Sequence, residues 1–271
     1  MPRGPKVSST EQTVFRLTAF DGFDNLQPCR EHIPTPSAGE VLTVAIAKSM
    51  YPFAVKDNVI PVFRRGQASS AEERVLHEYI AIPAHVLIKL PPCKTPRGFV
   101  QWAATPCAVS TVWNAFYGNA RLKPGGAVLV LVLGTGGVSV TALILAKAAG
   151  ATTIVTSSSD KKLDFTTPDW AAEVQRITNG KGVDHVIEVG GPGTMHQSLA
   201  AAGRGGTPED QIPDLTMMAL TKRLVVRGVM GGSEQQLEEA VRFISARGLE
   251  IPVDKVFAFE RDGIIAALNY V

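Results

Sequence analysis

The 271-residue chain sets 27 Lys and Arg against 25 Asp and Glu, for a formal net charge of +2, and is 45% hydrophobic and 19% charged. This is the balance of an ordinary globular protein with room for one large or two modest cores; it has no basic block for nucleic acid and no acidic tail. The first residues, MPRGPKVSSTEQ, lack the apolar centre of a signal peptide, and Cys29, Cys93 and Cys107 fit neither a disulfide framework nor a four-cysteine zinc site, so a reducing, cytoplasmic setting is expected.

Residues 1 to about 115 read as β-rich. TVFRL (13–17), EVLTVAIA (40–47), HEYIAI (77–82) and HVLIKL (85–90) have strand character, with Pro34, Pro36, Gly39 and Pro83 between them, whereas 62–75 is polar and loop-like. FVQWAATPCAVSTVWNAFYG (99–118) reads as helical in its second half. From 126 onward strands and helices alternate, the pattern of a parallel sheet. Val128–Leu133 is the first strand, TTIVTSS (152–158) the second, VDHVIEVGG (183–191) the third and RLVVRGVM (223–230) a further one. Helices are expected after the first glycine turn up to a cap at Gly150, over 167–180 with Pro168 at its first position and Asn179-Gly180 as its stop, and over 233–248.

From Gly126 to Ala146 no residue is charged. That length would suit a bilayer-spanning helix. Gly134-Thr135-Gly136-Gly137 interrupts it, however, so the stretch reads as a buried strand, a glycine turn and a buried helix rather than a membrane span.

A glycine turn between a strand and a helix has a defined chemical use. Amides at the helix N-terminus point at a bound pyrophosphate, the helix dipole adds to the attraction, and glycine is needed where a side chain would collide with the ligand. Here Gly134, Gly136, Gly137, Val138 and Ser139 form that turn, with Ser in place of the third glycine; the alternative is a turn that serves chain reversal alone. An NAD site carries an acidic residue about 20 residues on, at the end of the second strand. This chain has Ser157, Ser158, Lys161 and Lys162 there instead, hydroxyl and ammonium groups suited to a 2′-phosphate and so to NADP(H), unless they are simply an exposed loop. Gly190 and Gly191 end the third strand and let backbone approach the nicotinamide side; VMGGS, with Gly231, is expected to end the later strand in the same way.

PTPSAGEVLTV, YPFAVKDN, PCAVSTVWNAFYG, GTGGVSVTALILAKAAGA with VTSSSDKKL, and TPDWAAEVQRITNGKGVDHVIEVGGPGT together resemble the medium-chain dehydrogenase/reductase superfamily, nearest its zinc-type alcohol dehydrogenase-like and quinone or enoyl reductase branch. The resemblance implies an α/β chain. A β-rich GroES-like catalytic domain would span 1–115, a Rossmann-like NADP-binding domain 116–248, and a C-terminal return to the catalytic domain 249–271. It also implies a small-molecule substrate, no nucleic-acid or membrane partner, and a strand that allows a homodimer. Thr111 resembles the family threonine beside the nicotinamide, and Tyr51-Pro52 the pair whose tyrosine donates a proton after hydride transfer in enoyl-thioester reductases.

The chain also departs from that pattern, and both domains read as shortened. The segment with an Asn-centred contact ahead of Tyr51, the glycine-rich strands after Pro61, a helix and strand after SSSDKKL, the strand after GRGG and a final strand after Val271 have no counterpart. Catalytic zinc needs three protein ligands. Cys107 aligns with one and nothing matches the other two, so no metal is expected and Cys107 reads as a small buried residue. The expected function is NADP(H)-dependent, zinc-independent reduction of an activated C=C or C=O. The rivals are a non-catalytic homologue acting as partner or scaffold, and a zinc alcohol dehydrogenase.

Overall fold

The computed structural model describes residues 10–18, 23–38, 40–44, 59–61, 76–92, 96–122, 129–156, 169–203 and 215–270. The chain divides into two compact units, one of Met1–Pro106 with Pro252–Val271 and the other of Cys107–Ile251.

The first unit is built from antiparallel pairs. β1 (Glu11–Leu17) pairs with β2 (Leu26–His32), β3 (Glu40–Val44) with β5 (Tyr79–Pro83), and β4 (Val59–Pro61) with β6 (Leu87–Lys89). Two side chains tie β1 to the segment before β5: Glu78 Oε2 accepts the Thr13 N–H at 2.7 Å, and Gln12 Oε1 accepts the Tyr79 N–H at 2.8 Å. Val41, Val59 and Leu87 bury together, so β3, β4 and β6 share one cluster. Phe15, Leu26 and Ile264 form another, which seats the C-terminal helix α8 (Arg261–Leu268) against the β1–β2 hairpin; Arg261 adds bonds to the carbonyls of Leu26 and Asp24 at 2.8 and 2.6 Å. Neither β2, which carries Pro28 and four charged or polar residues, nor α8 is anticipated by the strand and helix signals of the sequence. Both depend on that shared packing.

The span 96–117 is helical throughout, not in its second half alone. α1 (Pro96–Ala103) and α2 (Thr105–Tyr117) meet at Ala104, where the Thr105 hydroxyl donates to the Trp102 carbonyl at 2.7 Å. Two short helices can split at one residue when a side chain satisfies the carbonyl that the break exposes.

The second unit holds a three-stranded parallel sheet in the order β8-β7-β9, with β7 (Leu129–Leu133), β8 (Thr152–Thr156) and β9 (His185–Ile187). α3 (Gly137–Ala148) crosses from β7 to β8, and Gly150, at φ +85°, turns the chain out of it. α4 (Trp170–Ile177) is the one helix described between β8 and β9. Asp169 caps it by accepting the Ala172 N–H, which moves its start beyond Pro168; that proline lies outside the described residues. Asn179 and Gly180 do end it, both at positive φ. Leu133, Ile154, Trp170, Ala171, Val174, Val183 and Ala201 make the core between sheet and helices, with Trp170 only 1% exposed. α5 (Pro192–Ala201), α6 (Leu215–Lys222) and α7 (Glu234–Arg247) complete the unit.

The expected strand over 223–230 does not form. Residues 224–230 make no described ladder, and Val225 and Met230 are 71% and 70% exposed. Strand-forming residues become a strand only when a neighbour takes their N–H and C=O groups, and no described segment does so here. Gly231 therefore ends no strand. No helix among the described residues is long and apolar enough to cross a membrane.

Candidate functional site

The register fixes where the site lies. Val132 of β7 pairs with Ile187 of β9, and Leu133 of β7 with Thr156 of β8. The segments following all three strands thus leave from the same edge of the sheet. The strand order reverses direction from β7, to β8 on one side and β9 on the other, and in such sheets ligands bind outside the carboxyl ends at this switch point.

After β7, Gly134 sits at φ +73° and donates its N–H to the Thr156 carbonyl at 3.1 Å, which closes the turn. Gly136 is the N-cap of α3 and Gly137 and Val138 open its first turn. Gly136 has no side chain to cap this end, and among the described residues no side chain accepts from the first amides of α3. A Cβ built on Gly134, Gly136 or Gly137 meets nothing within 4 Å, so the approach to those amides is open. Ser139 points the other way. It is buried, and its hydroxyl donates to the Leu133 carbonyl at 2.5 Å, binding helix to strand. In the place of the third glycine it serves helix–strand packing.

The turn after β9 is organised by a residue that sequence reading passed over. Glu188 Oε1 accepts the Gly190 N–H at 2.6 Å, the Gly191 N–H at 2.9 Å and the Thr194 hydroxyl at 2.7 Å, while Oε2 accepts the Ser198 hydroxyl. Gly191, the N-cap of α5, has φ +80°, which favours glycine, and a Cβ on Gly190 would stand 2.4 Å from Thr194 Oγ1, so a larger residue there would have to displace that side chain. The signal in the sequence is a carboxylate two residues before Gly-Gly, with hydroxyls six and ten residues on that share a helix face.

Thr111 lies on α2, its hydroxyl donating to the Cys107 carbonyl at 2.7 Å. On the same helix, Asn114 gathers the segment around Gly231. Its Nδ2 donates to the Gly231 carbonyl at 2.8 Å, and its Oδ1 accepts from Arg227 and from Gln236 Nε2. Gly231 (φ +67°) is buried, and a Cβ on Gly232 would lie 2.7 Å from the Ser110 carbonyl. The structure thus brings Gly134–Ser139 and Gly190–Gly191 to one sheet edge, and Gly231 to the helix of Thr111. Ser157, Ser158, Lys161, Lys162 and Tyr51 lie outside the described residues.

Cys107 is exposed, not buried as expected: it lies in the first turn of α2, and its carbonyl accepts the Ser110 and Thr111 hydroxyls. Among the described residues no group of three or more His, Cys, Asp or Glu side chains could hold a metal ion.

Residues 137–246 match the family described as zinc-binding dehydrogenase, a span that begins in the glycine turn and ends in α7. A zinc-type alcohol dehydrogenase-like protein of Schizosaccharomyces pombe is 32% identical over 89% of this chain and 91% of its own length. The chain belongs to the medium-chain dehydrogenase/reductase superfamily. Solved members share its fold. An alcohol dehydrogenase structure from Sinorhizobium meliloti aligns with a TM-score of 0.78 at 22% identity, covering 97% of each chain, and the CurK enoyl reductase with 0.68 at 19%, covering 96% of this chain and 95% of its own. The alignment with the yeast relative runs 319 positions, more than the 271 residues available, so that relative carries internal segments with no counterpart in this chain.

Proposed function

We propose that the chain is an NADP(H)-dependent, zinc-independent oxidoreductase that reduces an activated C=C or C=O of a small organic substrate. The observation that carries the reading is the open N-terminus of α3 at the switch point, with Gly136 as a cap that offers no side chain and with unobstructed glycines before it. Gly136, Gly137 and Val138 would hold the pyrophosphate through backbone amides, and Gly134, whose own N–H goes to the Thr156 carbonyl, would leave room for its approach. Gly190, Gly191, Gly231 and Thr111 are assigned to the nicotinamide side. When bound, the nicotinamide supplies the hydride; the protein supplies binding and orientation.

NADP is preferred to NAD on the strength of Ser157, Ser158, Lys161 and Lys162 with no carboxylate at the strand end. Zinc independence rests on ligand count, since Cys107 has no second or third partner in the sequence pattern. Tyr51 is assigned the proton, its phenol protonating the carbanion or enolate left by reduction. The exposed Val225, Val226 and Met230, unpaired among the described residues, support a homodimer formed by pairing of this segment with its copy, a reading that a monomeric mass in light scattering overturns.

The test is calorimetric titration of the full chain. NADPH should bind about ten- to a hundredfold more tightly than NADH, as one or two charge-assisted contacts would give. Equal or tighter NADH binding removes the NADP preference. No NADPH binding at millimolar concentration by folded protein removes the oxidoreductase reading and leaves the rival, a non-catalytic homologue, for which the segments missing against the yeast relative are the motivating observation.

A further inference from the structure

Three helices in the second unit follow strands of its parallel sheet, and their N-termini are finished differently. α4 is capped by the carboxylate of Asp169. α5 has no cap from its own Gly191, but Glu188 reaches over its first turn and takes the Gly190 and Gly191 amides and the Thr194 and Ser198 hydroxyls. α3 alone has neither. A carboxylate beside a helix N-terminus offsets the positive end of the helix dipole and weakens its pull on phosphate; at α5 the amides Glu188 takes are those of Gly190 and Gly191, just ahead of the helix.

Glu188 also does something a simple cap does not. Its Oε1 holds two consecutive glycine amides, one of them on a residue at φ +80°, and so fixes a backbone conformation that two glycines would otherwise leave open. Leu133 and Glu188 stand level at the ends of the paired strands β7 and β9, so this turn borders the same crevice as the open end of α3.

We propose that Glu188 is the positioning residue for the nicotinamide side of the site: it locks the Gly190–Gly191 turn and covers the N-terminus of α5, which leaves α3 to take the pyrophosphate. The proposal rests on the dinucleotide-binding reading above. Glu188 touches no reacting atom in this scheme; it acts through the backbone of the turn.

The halves of the cofactor separate this role from general stability. 2′,5′-ADP reports the α3 side, and the difference between NADPH and 2′,5′-ADP reports the nicotinamide side. In calorimetric titrations of the full chain, Glu188→Ala should weaken NADPH about tenfold and leave 2′,5′-ADP unchanged. Glu188→Gln, which keeps an acceptor at Oε1, should restore NADPH binding to within about threefold of the parent. Loss of both ligands in parallel would mark Glu188 as merely structural, and unchanged NADPH binding in Glu188→Ala would remove its role; either overturns the proposal while the cofactor reading stands. Failure of the parent protein to bind either ligand overturns both. Should Glu188→Ala not fold, Thr194→Val removes one donor from Oε1 and must still shift the ratio of the two affinities.

Discussion

Thr156 ends β8 with a fully buried hydroxyl that has no hydrogen-bond partner among the described residues. Burying such a group unpaired costs about 1–3 kcal/mol, and a shape-matched apolar replacement recovers part of that. Thr156→Val should therefore raise the unfolding midpoint in calorimetry; a lowered midpoint would mean that the hydroxyl is satisfied by a residue beyond the described set. His185 behaves in the opposite sense to a paired histidine. It lies half-buried on β9 with its ring edge-on to Phe116, and burial holds its pKa below the ordinary imidazole value, Asp184 pulling partway back. Below about pH 6.5 the unfolded chain takes up a proton that the folded chain resists, so stability is full above that pH and declines as pH falls toward the folded pKa. His185→Gln should flatten this acid slope in melts between about pH 7 and pH 5. At this scale the sequence was legible where a residue's own backbone needs decide its role, as with Gly134 and Gly191 at positive φ. It was not legible for Glu188, whose four partners are set by the turn and helix that follow it.

Among the elements, α5 shows how a helix end is completed from elsewhere. The Lys222 ammonium on α6 donates to the carbonyls of Leu199, Ala200 and Ala202 at 3.1, 2.8 and 3.3 Å, and Gln175 Nε2 on α4 donates to those of Ala200, Ala201 and Gly203. A cation at a helix C-terminus is favoured by the dipole as well as by the hydrogen bonds. Burial lowers the Lys222 pKa from the usual lysine value. Lys222→Met, which keeps the stem and removes the donors, should destabilise the chain by about 1–3 kcal/mol in urea unfolding. A loss under about 0.5 kcal/mol would show that water replaces the ammonium. α7 was readable in advance, because Ser233 and Gln236 form a reciprocal capping box and Gly248 adopts the left-handed conformation that stops it. α6 was not, since LTMMALTK opens without a visible cap and its preceding residues read as loop. The segment 224–230 failed in the other direction: its valines promise a strand, but strand formation is a property of a pair, and no described segment supplies the second member.

The whole molecule joins a parallel unit whose plan could be read from periodicity and caps to an antiparallel unit whose pairing could not. In the first, the alternation of strand and helix follows from their spacing along the chain. In the second, β3–β5 and β4–β6 are decided by contacts between segments tens of residues apart. The site falls mainly in the readable unit, which makes cofactor binding the sharpest whole-chain test. In the proposed site the open end of α3 would keep the pyrophosphate contacts, while the segments present in the yeast relative and lacking here would reduce what surrounds the rest of a dinucleotide. An adenine face left in water forfeits apolar burial at about 25 cal/mol per Å², so a few tens of Å² weaken binding roughly tenfold and place NADPH in the micromolar range. A ligand at about 100 times its dissociation constant stabilises the folded state by about 2.7 kcal/mol. For a unit the size of Cys107–Ile251 this is a rise in midpoint of roughly 5–10 °C. Scanning calorimetry with a few hundred micromolar NADPH should show that rise, with a smaller one for NADH at the same concentration. The same midpoint with and without NADPH would mean that the α3 cradle, although open, no longer holds a cofactor, and would leave this chain as a reductase fold without its chemistry.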